Sequence, residues 1–163
     1  MTNNDVLRSV RYALKLNDKK LIQIFELGGL RLSLEEIEGL VKKPMDEGFS
    51  NCNNKTLDAF LSGLIIYKRG KLESKSDDAN KDAETVSNSA KNINNLILKK
   101  LRIALSFKSS DMLEAFRLGG ANISESELSA LFRKKDHKNY RECGDKFVRV
   151  FIRGLIAMFR GDE

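Results

Sequence analysis

The hydrophobic positions of this chain recur at intervals of three and four residues, which is the spacing of one face of an α-helix. The first such segment contains Val6, Leu7 and Val10, behind an Asn-Asn pair that we expect to cap the first helical turn. No segment alternates with the two-residue period of an exposed strand. The pattern therefore predicts an all-α protein.

The helical pattern occurs twice, at an offset of 91 residues. The shift aligns NNDVLRSVRYAL with NNLILKKLRIAL and FLSGLIIYKRG with FIRGLIAMFRG, without a gap. About 22 of about 68 paired positions are identical, and many others exchange one apolar residue for another, as in a duplicated core. The chain is therefore predicted to contain two homologous modules, residues 1–70 and 92–163. Residues 71–91 include only Leu72 and Val86 as sizeable apolar side chains, so we expect a flexible linker there.

Each module is expected to form four helices, because turn and capping residues divide the apolar pattern into four parts. Asp18 and Ser109 are the predicted caps of the second helices, which should stop at Leu-Gly-Gly, where glycine can take the left-handed conformation. Asn54 and Asp145 are the predicted caps of the fourth helices.

The third and fourth helices carry further signals that recur in both modules. The third begins with a capping box, Ser33 with Glu36 and Ser124 with Glu127. The fourth, predicted over about 54–69 and 145–160, has a glycine near its middle, Gly63 and Gly154. Because such a glycine costs about 0.5 to 1 kcal/mol relative to alanine, its recurrence predicts a close approach of another helix.

The composition limits location and cofactors. No segment reaches the roughly 18 apolar residues that cross a bilayer, and Arg8, Arg11 and Lys15 interrupt the N-terminal segment, unlike a signal peptide. We therefore expect a cytoplasmic protein that does not enter membranes and whose two cysteines are reduced. Two cysteines and one histidine are a poor zinc set, so neither a metal nor another cofactor is expected.

These features resemble the YehS-like family, a bacterial family of unknown function whose members carry this domain as a tandem pair. The resemblance rests on NNDVLRSVRYAL and NNLILKKLRIAL, the Leu-Gly-Gly stops, DHKNYRECGDKF and FIRGLI, and it covers both modules. It implies a duplicated α-helical fold and supplies no activity, cofactor or catalytic residue.

One candidate for chemistry is DHKNYRECGDKF, which holds His137 and Cys143. The two residues are candidate catalytic groups, because a histidine can hold a cysteine as the nucleophilic thiolate. The aligned segment of the first module, MDEGFSNCNNKT, keeps the cysteine and replaces the histidine with Asp46. We therefore favour a structural interpretation, in which Phe49 or Tyr140 fills the core and the cysteine packs beside it.

The second candidate is a surface of basic residues, since residues 92–163 carry 14 basic and 9 acidic side chains of a chain whose net charge is +6. The predicted basic face comprises one side of the fourth helix of the second module and the loop before it: Arg133, Lys134, Lys135, Lys138, Arg141, Lys146, Arg149, Arg153 and Arg160. Such a face is typical of binding to nucleic acid or to an acidic protein, or it is simply a solvated helix surface.

The sequence favours a non-enzymatic binding module over its alternatives, which are an enzyme using His137 and Cys143 and a structural protein that forms a homodimer. Reading of DNA by the third helix is not expected, because its first turn is acidic in both modules. Arg11 and Arg102, identical in the two modules, are expected to pair with carboxylates, with Glu36 and Glu127 as candidates.

Overall fold

The computed structural model describes residues 1–70, 93–133, 138 and 141–161, and this part of the chain contains eight helices and no strand. The predicted linker, residues 71–91, lies outside the described residues. The first module has α1 (Asn3–Leu14), α2 (Asp18–Leu27), α3 (Leu34–Val41) and α4 (Asn54–Arg69); the second has α5 (Asn94–Leu105), α6 (Ser109–Leu118), α7 (Glu125–Phe132) and α8 (Asp145–Arg160). Each helix of the second module begins and ends 91 residues after its counterpart. The predictions of an all-α fold and of a duplicated helical module are confirmed.

The start of the third helix is as predicted, but several other caps lie elsewhere. Both capping boxes are present, at Ser33 and at Ser124. The caps of α2 and α4 are Asn17 and Asn53, whose side chains accept hydrogen bonds from backbone amides at 2.9 and 2.8 Å. The predicted caps Asp18 and Asn54 were therefore wrong by one residue, because the amide side chain before each of them accepts the bond and makes it the first helical residue.

The corresponding helices of the second module lack a side-chain cap of this kind. Lys108 and Gly144 stand at the cap positions of α6 and α8, so Ser109 and Asp145 are the first helical residues and not caps. At α6 the carboxylate of Asp111 instead accepts a bond from the Lys108 amide at 2.8 Å. The cap of α1 is Thr2, which forms a capping box with Asp5.

The Asn-Asn pair at the start of α1 does not cap this helix, contrary to the prediction, and neither does the pair at the start of α5. Asn4 is 1% exposed, and its Nδ2 donates to the carbonyls of Leu40 and Ser50, both at 2.9 Å. Its Oδ1 accepts the amide of Cys52 at 2.9 Å. One buried side chain thus joins α1 to the end of α3 and to the loop before α4, satisfying three backbone groups that would otherwise be buried without partners.

The second module repeats this arrangement at every position. Asn95 donates to the carbonyls of Leu131 and Arg141 at 2.8 and 3.0 Å and accepts the amide of Cys143 at 2.8 Å. The first asparagine of each pair binds the first residue of the fourth helix: Asn3 donates to Oδ1 of Asn54 at 2.9 Å, and Asn94 to Oδ1 of Asp145 at 2.8 Å. The first asparagine of each pair therefore joins the first helix to the fourth, and the second joins it to the third helix and to the loop before the fourth.

Inside each module the second helix crosses the fourth at a glycine. A Cβ on Gly63 would lie 1.8 Å from the carbonyl oxygen of Ile24, and one on Gly154 would lie 1.7 Å from that of Ala115. The predicted close approach is confirmed. Beside each crossing a pair of phenylalanine rings fills the core, with centroids 5.6 Å apart in the first module and 5.4 Å in the second: Phe25 with Phe60 and Phe116 with Phe151.

The two modules pack against each other through their first and fourth helices, with α4 on α5 and α1 on α8. Arg69, at the end of α4, donates to the carbonyl of Ile103 at 3.3 Å. Arg160, at the end of α8, donates to the carbonyl of Tyr12 at 2.8 Å. Donors and acceptors are both related by the 91-residue offset, so the contact is reciprocal, as across an approximate twofold axis. We call this contact the seam.

Candidate functional site

The exposed side of α8 carries three basic residues, Lys146, Arg149 and Arg153, at helical spacing. All three are exposed, whereas Val148 and Phe151 on the other side of the helix are buried. In the described part of the chain their side chains form no ion pair and no hydrogen bond. Their charges are therefore available to a partner, and this group of three is the basic row.

Arg160 does not belong to this row, although the sequence placed it there. Its guanidinium lies over the ring of Tyr12, 4.2 Å from the centroid, and its Nε donates to the Tyr12 carbonyl. The last turn of α8 lies against the end of α1, where exposed carbonyls attract a cation. Arg160 is thus a residue of the seam.

The loop before α8 places one further basic residue beside the row. The guanidinium of Arg141 lies 5.5 Å from the ring centroid of Phe147, next to Lys146, and 3.7 Å from a carboxylate oxygen of Glu127. Lys138 is exposed, and Arg133 is a half-buried residue at the end of α7. Lys134 and Lys135, which were also predicted for this face, lie outside the described residues.

The same surface of the first module keeps a lysine, Lys55, at the position of Lys146 but has no arginine at the other two positions of the row. Asp58 and Ser62 occupy the positions of Arg149 and Arg153, and both bind Lys100 of α5 across the seam; Lys100 Nζ lies 2.6 Å from Ser62 Oγ and pairs with the Asp58 carboxylate. The counterpart of Lys100 is Ser9. In the first module these two positions therefore bind a lysine across the seam, whereas in the second they are exposed arginines and the counterpart of that lysine is a serine.

The two cysteines are core residues, as predicted. Cys52 is 2% exposed and Cys143 is fully buried. Burial raises the pKa of each thiol to about 12, and the carboxylate of Asp145 adds to the rise at Cys143. Both thiols are therefore protonated near neutral pH, the opposite of an activated nucleophile. His137 lies outside the described residues, so its proposed partnership with Cys143 stays a prediction.

The aromatic residue of the cysteine loop behaves differently from the prediction. Phe49 is only half-buried and does not fill the core. The residue that connects the cysteine loop to the rest of the module is Asn4, whose side chain accepts a hydrogen bond from the amide of Cys52. Tyr140, the counterpart of Phe49, lies outside the described residues.

The arginines that occupy the same position in the first helix of each module pair with residues other than Glu36 and Glu127. Arg11 lies 3.4 Å from the Asp18 carboxylate, and Arg102 donates to Ser109 Oγ at 3.2 Å. Glu36 is occupied by its capping box and Glu127 contacts Arg141, so the predicted pairs were wrong. The correct partners begin the next helix, only seven residues along the chain.

Sequence reasoning missed two groups of residues that organise this region. The asparagines were assigned to capping, although their identity in both modules was a signal of a more specific role. Lys100 gave no signal, because its partners belong to the other module and its counterpart is a serine.

Among the described residues, no cluster of histidine, cysteine, aspartate and glutamate is suited to hold a metal ion. None of the described helices is both long enough and apolar enough to span a bilayer.

Comparison with known proteins identifies relatives without an assigned activity. The model of a family described as "Protein of unknown function (DUF1456)" matches residues 3–70 and 94–161, one match for each module. "Uncharacterized protein YehS" of Escherichia coli (strain K12) is 44% identical over 157 residues, which are 96% of each chain. No solved structure matches the chain. The chain thus belongs to the DUF1456 family of unknown function, and the YehS-like resemblance seen in its sequence is confirmed.

Proposed function

We propose that this protein is a non-enzymatic binding module that contacts the phosphate backbone of a nucleic acid through the basic row. The observation that carries this proposal is that Lys146, Arg149 and Arg153 are exposed on one side of α8, without ion pairs among the described residues. Arg149 and Arg153 are one helical turn apart, where like charges repel by a few tenths of a kcal/mol. A bound anion would remove this repulsion between Arg149 and Arg153, which supports an anionic partner.

The spacing of the charges and the position of the exposed hydrophobic residues favour phosphates over an acidic protein. At a rise of 1.5 Å per residue, Lys146 and Arg153 are separated by about 10 Å along α8, about the rise of three nucleotides along one strand of B-DNA. Protein interfaces usually centre on exposed aromatic or aliphatic anchors. Of the large exposed hydrophobic residues in the described part of the chain, only Phe159 lies on α8, near its far end.

The test is fluorescence anisotropy with labelled single-stranded and double-stranded oligonucleotides over a range of salt concentrations. Binding should weaken with salt, with a slope of about −2 to −3 in a plot of log K against log salt if the three residues of the row each contact a phosphate. The double variant Arg149→Glu with Arg153→Glu should abolish binding, because it replaces two attractions with two repulsions.

A matched control changes the net charge equally at another place. Lys19→Glu with Lys20→Glu alters two exposed lysines of α2 in the first module and should retain most of the affinity. If the Arg149→Glu, Arg153→Glu protein binds as tightly as the parent, or if the parent binds no oligonucleotide in low salt, the proposal is refuted. An acidic polypeptide that binds where oligonucleotides do not would assign the basic row to a protein partner instead.

A further inference from the structure

We infer that a pocket at the seam binds a small phosphate-bearing anion, at a site separate from the basic row. The pocket has a volume of about 270 Å³ and lies where the end of α1, the turn into α2 and the last turn of α8 meet. It is lined by Arg11, Tyr12, Lys15, Leu16, Asn17 and Arg160. Because Arg160 comes from the second module and the other five from the first, the site exists only when the modules are packed together.

The lining is strongly basic. Arg11, Lys15 and Arg160 bring three positive charges; the Asp18 carboxylate beside Arg11 is not part of the lining. Asn17 is the cap of α2, so the positive end of that helix also lies at the pocket. Its side chain accepts the amide of Lys20, while the amides of the first two helical residues have no acceptor within the helix.

Arg11 has hydrogen-bonding capacity that the described residues do not use. Its Nε is buried and has no acceptor there, although Nη2 lies 3.4 Å from the Asp18 carboxylate. A buried donor without a partner costs about 1 to 3 kcal/mol, so an acceptor reaching this guanidinium would be favoured. The basic lining favours an anion, and the unpartnered Nε shows that the hydrogen-bonding capacity of the Arg11 guanidinium is not exhausted within the described residues.

The equivalent place in the second module shows how the same scaffold looks when its donors are satisfied internally. Arg102 Nε, the counterpart of Arg11 Nε, donates to the carbonyl of Phe107 at 3.2 Å. Ser106 replaces Lys15 and lies 3.5 Å from Arg69, and Phe107 replaces Leu16 and stacks on Phe159. The second module thus has a serine in place of Lys15, a phenylalanine in place of Leu16 and Lys108 in place of Asn17, so its cations and its apolar side chains are arranged differently in this region.

The size and charge of the pocket indicate the ligand. Ligand pockets typically measure about 300 to 1,000 Å³, so this one suits a compact anion and not an extended molecule. A phosphate monoester carries a charge of about −1.5 to −2 near neutral pH and offers three acceptor oxygens, matching two guanidinium groups and one ammonium group. Lys15 and Arg160 also have contacts within the protein, and the site requires their charge and position, not their freedom from other partners.

The test follows the Nε–Hε signal of Arg11 by NMR in the full-length protein labelled with ¹⁵N-arginine. Addition of inorganic phosphate should shift this signal saturably, with a dissociation constant on the order of 1 mM, whereas the Arg102 signal should not saturate. Lys15→Ser introduces the residue that the second module has at this left-handed position, φ 57° for Lys15 and 55° for Ser106, and should weaken binding about three- to fivefold. Ser106→Ala is the control and should leave the affinity unchanged.

The outcomes separate this site from the basic row. The Arg149→Glu, Arg153→Glu protein should keep the phosphate-dependent shift, and Lys15→Ser should keep oligonucleotide binding, so that either proposal can fail alone. A linear, non-saturating response of Arg11, or equal affinity in the parent and Lys15→Ser, would overturn the inference. Sulfate competing with phosphate supports an oxyanion site, whereas saturable binding of citrate without phosphate contradicts the assignment to phosphate.

Discussion

Replacing Asn4 should be among the most destabilising single changes in this protein that remove only a few atoms. The side chain is 1% exposed and makes three hydrogen bonds to backbone groups of α3 and of the loop before α4. Each such bond contributes about 1 kcal/mol net, and alanine would leave two carbonyls and one amide buried without partners. The expected loss for Asn4→Ala is therefore about 3 kcal/mol, a large part of the 5 to 15 kcal/mol typical of a folded domain.

Urea denaturation followed by circular dichroism at 222 nm measures this loss directly. With a slope of about 2 kcal/mol per molar urea, 3 kcal/mol lowers the midpoint by about 1.5 M. Asn95→Ala breaks the same three bonds, but Asn95 is only half-buried and water can replace some of them, so about 2 kcal/mol is expected.

The neighbouring asparagine supplies the control, because it is the same residue type on the same turn of α1. Asn3 is half-buried and makes one side-chain hydrogen bond, to Asn54, so Asn3→Ala should cost no more than about 1 kcal/mol. A midpoint of Asn4→Ala within about 0.3 M urea of the parent's, or an equal destabilisation by Asn3→Ala, would contradict the assigned role of the three Asn4 hydrogen bonds.

Two further predictions concern the core. Gly154→Ala should lower the free energy of unfolding by at least about 2 kcal/mol, because the new Cβ would lie 1.7 Å from the carbonyl oxygen of Ala115 and push α6 from α8. The control is Gly144→Ala, whose Cβ would have no atom within 4 Å; it should lower that free energy by less than about 1 kcal/mol in the same urea titration. Since burial raises the pKa of Cys52 and Cys143 from 9.0 to about 12, the unfolded chain loses these protons first as the pH rises. The thiol contribution to the free energy of unfolding should therefore be full below about pH 9 and decline up to about pH 12. Replacing both cysteines with alanine should remove the thiol part of that decline. Native thiols that react rapidly with iodoacetamide at pH 8 would contradict the assigned burial.

The parts of the fold that follow local rules were predictable from the sequence. The capping boxes at Ser33 and Ser124 satisfy backbone amides within four residues of themselves. The glycines at 63 and 154 lower helix stability relative to alanine, and the close packing of another helix explains why they are there. The cap of α2 was misplaced because Asn17 and Asp18 are both good caps, and residue type alone does not determine the backbone geometry that selects between them.

The candidate sites were predictable only as far as a single helix determines them. Helical periodicity placed Lys146, Arg149 and Arg153 on one exposed side of α8, as the structure has them. The same periodicity assigned Arg160 to that side, and it was wrong there because Tyr12, 148 residues earlier, receives the guanidinium. Contacts across the seam join residues far apart in the chain, so neither periodicity nor capping chemistry carries information about them.

The reciprocal packing of α1 on α8 and of α4 on α5 means that each module serves as the other's binding partner within one polypeptide. In a dimer of separate modules this association would be bimolecular and would vanish on dilution; here it is unimolecular, governed by an effective concentration that does not depend on how much protein is present. In a dimer of identical modules, moreover, every substitution appears on both sides of the axis. Fusion removes that constraint, so one side can keep the Lys100–Asp58 ion pair while the other carries two arginines.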